Sequence, residues 1–281
     1  MNKTTTSSKV NPLARSVLSV ISPCYNEEGN VPALTKRTLA VFDALGIKGQ
    51  LVLIDDGSED QTWDRIVEQA GHDERVLGVQ HETNRGIVAG WQSGLAASDG
   101  ELTCLIDSDL QNRPEDIAQL YKLYLCEIPD LVQGVRNPAD GARRLHLFSR
   151  GLNALLNVTF GMRLRDNKSG FVLCRRDDLS TILQHRYGYR YYQSFIGVAA
   201  GARGMTIAEV DTRFERRQSG QSFLNRLPIL VSARIIFELL KFRLEIWRSP
   251  SEIAKAQRQI SDTMRGWSAP PLMADAAGGE S

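Results

Sequence analysis

The chain has 281 residues, 42% of them hydrophobic and 24% charged, with a formal net charge of +1. That supports one large domain, or one with an appendage, and the near balance of charge gives no reason to expect a general nucleic-acid binder. The four cysteines, Cys24, Cys104, Cys126 and Cys174, show no C-x-x-C and no metal-ligand spacing, so they read as reduced thiols of a cytosolic protein, three of them among apolar neighbours.

Residues 1–16 are polar, lack the apolar core of a signal peptide, and read as a disordered tail. Short β-branched or apolar runs then alternate with helical patterns. Strands are predicted over 17–22, 51–55, 76–80, 102–106 and 131–135, and helices over 31–45, 61–70, 86–97 and 114–126. The alternation predicts an α/β fold: a mainly parallel sheet with helices on both faces. Ligands of such sheets sit beyond the carboxyl ends of the strands. Three polar clusters fall there: "SPCYNEEGN" after the first strand, "DDGSEDQT" after the second and "DSDLQ" after the fourth.

In "DDGSEDQT", Gly57 permits a turn, and Ser58 or Asp60 can cap the next helix. Turn chemistry does not need two adjacent acids, which leaves Asp56 as an acceptor for the base or ribose of a nucleotide. In "NRGIVAGWQSGL", Gly86, Gly90 and Gly94 recur every four residues at a cost in helix propensity. Such a helix can lie close to a sheet or a ligand, with Asn84 and Arg85 facing the site. In "DSDLQNRPED", Pro114, Glu115 and Asp116 read as a helix start. Asp107 and Asp109 have two readings: strand-end turn chemistry, or carboxylates that share one face of an extended segment with Gln111. Two carboxylates held close repel unless a cation joins them. Hard oxygen ligands suit Mg²⁺ or Mn²⁺.

Residues 141–176 hold eight Lys/Arg against the single acid Asp166. That excess is either a solvated face or a site for anionic lipid or substrate phosphate. The segment 187–195, "YGYRYYQSF", offers aromatics and Arg190 but no carboxylate. An amphipathic helix is predicted over 225–248, with Arg234, Glu238, Lys241, Glu245 and Arg248 on one face and an apolar side for core or membrane surface. No run approaches the roughly 18 uncharged residues of a membrane span. Residues 249–281 read as a flexible tail.

Six segments in order, "SPCYNEEGNV", "IDDGSEDQTW", "NRGIVAGWQSGL", "DSDLQNRPED", "DNKSGF" and "EVDTRFERRQSGQS", resemble glycosyltransferase family 2. Within it, the resemblance is to polyprenyl-phosphate sugar transferases related to dolichyl-phosphate mannose synthase. The resemblance implies a GT-A nucleotide-diphospho-sugar transferase fold, with residues 17–224 as the catalytic domain. It implies that Pro23, Tyr25 and Glu27 line the nucleotide pocket and that Asp56 meets the nucleobase. Asp107, Asp109 and Gln111 would hold a divalent cation, Mg²⁺ or Mn²⁺, on the donor diphosphate. Asp166 would lie near the transferred sugar, and Arg216 or Arg217 would meet phosphate. The implied function is inverting, metal-dependent transfer of a sugar from a nucleotide-sugar donor to a polyprenyl (dolichyl or undecaprenyl) phosphate. The enzyme would sit peripherally on an anionic membrane surface, at the cytoplasmic face. The alternatives are a hydroxyl acceptor of glycan or lipopolysaccharide type, and a non-catalytic nucleotide-sugar binding protein. The chain departs from the family pattern at Phe223, where relatives often carry Lys, and has no Q-x-x-R-W signature of processive synthases.

Overall fold

The computed structural model describes residues 16–138, 151, 153, 154, 156–158, 160–167, 169–184, 189, 192–215 and 237–245. Most of both expected tails, and Arg216, Arg217 and Phe223, lie outside the described residues. Ser16 is buried, and its carbonyl accepts the Glu101 N–H at 3.2 Å, so this residue of the segment expected as a tail packs on the domain.

The first half follows the expected alternation. Strand β1 (Leu18–Cys24) leads to helix α1 (Val31–Leu45), β2 (Gly49–Asp55), α2 (Thr62–His72), β3 (Val76–Gln80), α3 (Ile87–Ala97), β4 (Leu102–Leu105), α4 (Ile117–Glu127) and β5 (Leu131–Pro138). A short 3₁₀ turn, Pro114–Asp116, precedes α4. Then come β6 (Val172–Arg175), α5 (Arg176–Leu183), α6 (Ile196–Gly201) and β7 (Ile207–Phe214). Helix α1 shows how the pattern becomes structure. Val31, Leu34, Thr35, Thr38, Val41 and Phe42 are buried at helical spacing, and Gly46 closes the helix in the left-handed region that favours glycine.

The seven strands are ordered β3-β2-β1-β4-β6-β5-β7. All pairings are parallel except those of β6, which runs antiparallel to β4 and β5. Two apolar layers cover the faces. Val20, Leu51, Leu53 and Cys104 pack with residues of α1, α2 and α4. Ile21, Val52, Ile54 and Leu105 pack with α3, α5, α6 and the helical residues 237–245. The strand order reverses direction at β1, between β2 and β4, so the crevice beyond the carboxyl ends of β1 and β4 is where a ligand fits.

Helix α3 lies close to this sheet because it presents glycine. A Cβ on Gly94 would sit 2.4 Å from Ile21 Cγ2 and 2.8 Å from Ile54 Cδ1, and one on Gly90 would sit 2.8 Å from Pro23 Cβ. Gly86 differs from the other two: it caps α3 with φ 87° and has no near neighbour.

Two expectations for the second half change. Four cations of the basic segment are described, and three of them are engaged within the chain. Buried Arg175 bridges Asp130 and Asp178 at 3.1 and 2.6 Å. Arg165 meets Asp211 at 2.8 Å, and Arg176 donates to the Ser98 carbonyl and hydroxyl. Arg163 is exposed. Over 237–245, the charged side of the predicted amphipathic helix turns inward. Glu238 is buried, Glu245 accepts the Tyr189 hydroxyl at 2.6 Å, and Lys241 lies over the Tyr189 ring. Leu239 and Phe242 join the core, while Phe237, Leu240 and Leu244 are 68, 50 and 52% exposed. The apolar residues therefore serve both core and surface. Among the described residues, no helix is long and apolar enough to cross a membrane.

Candidate active site

The loops after β1 and β2 are clasped together. Asn26, at φ 55°, donates its N–H to Ser58 Oγ at 3.0 Å and accepts the Glu59 N–H through Oδ1 at 2.9 Å. Glu28 returns the arrangement: its N–H meets Asp60 Oδ2 at 3.3 Å, and its carboxylate takes the Gln61 N–H at 3.0 Å. The Glu27 N–H donates to Thr62 Oγ1 at 2.8 Å, while its buried carboxylate accepts Asn30 Nδ2 at 2.5 Å. These loops satisfy their own backbone and so form a rigid rim. Tyr25 is 36% exposed beside them, and Pro23 packs under Gly90 of α3. Of the predicted nucleotide wall, Pro23 and Tyr25 are partly open, whereas Glu27 serves the rim itself.

The adjacent acids divide their work. Asp55 accepts the Ser58 N–H at 3.1 Å and Gln80 Nε2 at 3.2 Å, closing the turn onto β3. Asp56 turns toward the loop before α3, where it accepts the N–H groups of Arg85 and Gly86 at 2.9 and 2.8 Å. It also lies 2.7 Å from His81 Nδ1. Gly57 is required here: at φ 72°, a Cβ would sit 2.4 Å from the Thr83 carbonyl carbon and 2.5 Å from Asn84 N. The Asn84 and Arg85 side chains are exposed at this edge, and the Arg85 main chain makes the contact to Asp56. Sequence reasoning missed His81, whose signal is its position directly after β3.

Strand β4 ends at Leu105, and Leu110 adopts φ 60°. Asp107 and Asp109 therefore occupy a turn, and strand alternation does not bring them together. Asp109 Oδ1 accepts the Gln111 N–H at 3.1 Å, a turn-closing bond. Gln111 also exchanges bonds with Glu215, the residue after β7: its carbonyl takes the Glu215 N–H at 2.8 Å, and its Nε2 reaches the Glu215 carbonyl at 3.5 Å. Among the described residues, no group of three or more His, Cys, Asp or Glu could hold a metal ion. The donor set that exists, two half-buried carboxylates and an amide oxygen, fits a hard cation that takes its remaining ligands from water and phosphate.

Asp166 is held in a fork. Arg136 Nε and Nη2 donate to its two oxygens at 2.7 and 2.9 Å, and Phe214 lies 5.5 Å from the guanidinium carbon. Burial works against the charge on Arg136, but the bond to Asp166 and the field of Asp107 keep its pKa raised. Arg136 thus joins Asp166 to the turn that carries Asp107. Its position near the carboxyl end of β5, in "VQGVRNP", is the signal for it in the sequence.

The family model for glycosyl transferase family 2 matches residues 19–183. The chain belongs to that family. The fold is a GT-A-like glycosyltransferase fold, as expected. It is 28% identical over 224 residues to the undecaprenyl-phosphate 4-deoxy-4-formamido-L-arabinose transferase of Pectobacterium carotovorum subsp. carotovorum (strain PC1), covering 79% of this chain and 66% of that one. It is 30% identical over 217 residues to the transferase of the same name from Shewanella sediminis (strain HAW-EB3), covering 76% and 64%. The chain spans just under two thirds of the length of these curated relatives. Among solved structures it resembles glucosyl-3-phosphoglycerate synthase from Mycobacterium tuberculosis. The complex of that enzyme with Mn²⁺, UDP and phosphoglyceric acid is 25% identical, covers 80% of this chain and 78% of that one, and has a TM-score of 0.59. Its complex with Mn²⁺, UDP and glucosyl-3-phosphoglycerate has a TM-score of 0.61 at 24% identity, covering 80% and 79%.

Proposed function

We propose that this chain transfers a sugar, with inversion, from a nucleotide-diphospho-sugar donor to the phosphate of a polyprenyl acceptor of the undecaprenyl or dolichyl kind. An acceptor phosphate oxygen forms the new bond to the anomeric carbon as the bond to the donor diphosphate breaks. The nucleoside diphosphate leaves with the electron pair.

One observation carries the reading: the forked Arg136–Asp166 pair, coupled to Asp107 at the open end of the sheet. A phosphate acceptor is already ionised at neutral pH, so it requires a positioned cation and no general base. Arg136 supplies that cation, while both oxygens of Asp166 are committed to it. The undecaprenyl-phosphate relatives support the same acceptor. Pro23 and Tyr25 form the donor wall and Glu27 holds the rim behind them through Asn30 and Thr62, with Asp56 on the base and Asn84 and Arg85 at its edge. Arg216 and Arg217 grip the acceptor phosphate or the donor diphosphate, and they follow directly on Glu215, which is bonded to Gln111. Asp107, Asp109 and Gln111 would hold Mg²⁺ or Mn²⁺, which supplies Lewis-acid stabilisation of the leaving diphosphate. The chain acts at the cytoplasmic membrane face, with 17–224 as its catalytic unit and the helix from 225 to 248 on the surface.

The test is a panel of nucleotide sugars supplied to the full chain with undecaprenyl phosphate in vesicles, with the lipid read by mass spectrometry. A glycosyl polyprenyl phosphate is expected. It should vanish with EDTA and in Asp109→Asn, whose amide oxygen still accepts the Gln111 N–H, so that stability moves by no more than about 1 kcal/mol, the scale of one hydrogen bond. Turnover that survives both treatments overturns the metal assignment. Sugar found only on a glycan hydroxyl overturns the acceptor.

A further inference from the structure

The carboxylate assigned to the nucleobase is held from behind by hydrogen bonds that reach into α3. Strand register sets this up. Asp55 pairs with Gln80 across β2 and β3, and the His81 N–H donates to the Asp55 carbonyl at 2.9 Å. Asp56 and His81 are therefore the next rung, and in-register neighbours on parallel strands point to the same face. His81 Nδ1 lies 2.7 Å from Asp56 Oδ1, and its Nε2 lies 2.8 Å from Ser93 Oγ, in the second turn of α3. The ring is buried. An ionised carboxylate only accepts, so Nδ1 carries a proton; in the neutral ring, Nε2 then accepts the Ser93 hydroxyl.

Three donors thus converge on Asp56. His81 Nδ1 and the Arg85 N–H fill Oδ1, and the Gly86 N–H takes one position on Oδ2. A carboxylate offers about four acceptor positions, so with the donors among the described residues one is left, on Oδ2. We propose that His81, anchored by Ser93, is a positioning residue that leaves Asp56 this single acceptor position and thereby selects the donor base. Uracil and thymine present one N–H on that edge and fit. Guanine presents adjacent N1–H and N2–H donors and needs both carboxylate oxygens, one of which is already saturated. Adenine and cytosine set a ring-nitrogen lone pair against the carboxylate. The inference rests on the donor reading given above.

Calorimetry on the full chain with Mg²⁺ and UDP, GDP or CDP tests it, using wild type, His81→Phe, His81→Asn and Ser93→Ala, each checked by thermal melting. Wild type should bind UDP at least about tenfold more tightly than GDP, the scale of one well-made hydrogen bond. His81→Phe keeps the ring volume but frees Oδ1, so it should weaken UDP about tenfold and bring the UDP-to-GDP ratio toward one. Ser93→Ala should shift the ratio the same way by less, and His81→Asn, which retains an N–H donor, should recover part of it. Should His81→Phe fail to fold, the other two variants carry the comparison. Equal weakening of both nucleotides with an unchanged ratio marks a merely structural role and overturns the proposal. Wild type binding GDP as well as UDP also overturns it. Failure of wild type to bind any of the three removes the donor reading itself, and this inference with it.

Discussion

At the scale of single residues, Arg136 has the most to explain. Its guanidinium serves two carboxylates, Asp166 by contact and Asp107 through its field. Removing it leaves Asp166, whose side chain is only 12% exposed, without its fork. A charged hydrogen bond of that kind contributes about 1.5–3 kcal/mol, so Arg136→Ala should lower stability on that scale. Loss of stability alone does not separate a structural partner from a group that meets substrate. A double-mutant cycle with Asp166→Asn does. If Arg136 only orients Asp166, its removal in the Asp166→Asn background should cost no further turnover. We expect a further loss of about tenfold or more, equivalent to 1.4 kcal/mol or more of transition-state binding. Transfer to undecaprenyl phosphate, measured in all four proteins, decides it, and no further loss in the Asp166→Asn background would restrict Arg136 to holding Asp166. Arg136→Lys should not rescue the wild-type rate, because a point charge cannot reproduce the fork.

At the scale of elements, the Arg37–Glu115 pair ties α1 to the turn that opens α4. Arg37 donates through Nε and Nη2 at 2.7 and 2.6 Å, and this holds the Glu115 carboxyl down at about 2, below its ordinary value near 4.3. A depressed folded-state value stabilises the fold above the unfolded value, and the contribution is lost as pH falls from there through about 2. The pair is partly exposed, which limits it to about 0.2–1 kcal/mol. Urea unfolding of wild type and Glu115→Gln should differ by that amount at pH 7 and by progressively less below pH 4.3. A gap that stays constant down to pH 3 would mean the bridge contributes nothing through charge. Helix α1 and the first four strands were legible because period and strand-end chemistry agree there. Strand β6 was not: four residues, "VLCR", are too short to show a period, and its antiparallel run depends on distant partners. Strand β7 was missed because "IAEVDTRF" reads as a polar edge, only one of its residues being buried. The same limit hid part of the candidate site. Asp56 and the D-x-D turn announced themselves by composition, whereas His81 and Arg136 matter through the register of neighbouring strands, which no local pattern records.

At the scale of the whole molecule, one surface faces a different solvent in the proposed function. Over 237–245, Phe237, Leu240 and Leu244 recur at spacings of three and four and stand outward, with exposed Arg243 beside them. Leu239 and Phe242 on the opposite side are buried, so the helix is fixed to the core and its outer stripe is rigidly presented. Three of the four described cations expected to meet anionic lipid are engaged inside the chain, which shifts the expected membrane contact from charge toward this apolar stripe. Moving the exposed parts of three such side chains out of water is worth about 1 kcal/mol each, or roughly a hundredfold in partitioning together. The full chain should therefore sediment with phosphatidylglycerol vesicles, and the triple change Phe237→Ser, Leu240→Ser, Leu244→Ser should weaken this by roughly two orders of magnitude. Salt separates the two contributions. An electrostatic contact fades as the screening length shrinks from about 10 Å at 0.1 M to about 3 Å at 1 M, whereas apolar burial persists. Retention of most binding at 1 M salt is the expected outcome. Wild type remaining in the supernatant with these vesicles at low salt would end the membrane assignment. Concentration-dependent dimerisation that the triple variant abolishes would instead give the stripe to a second copy of the chain.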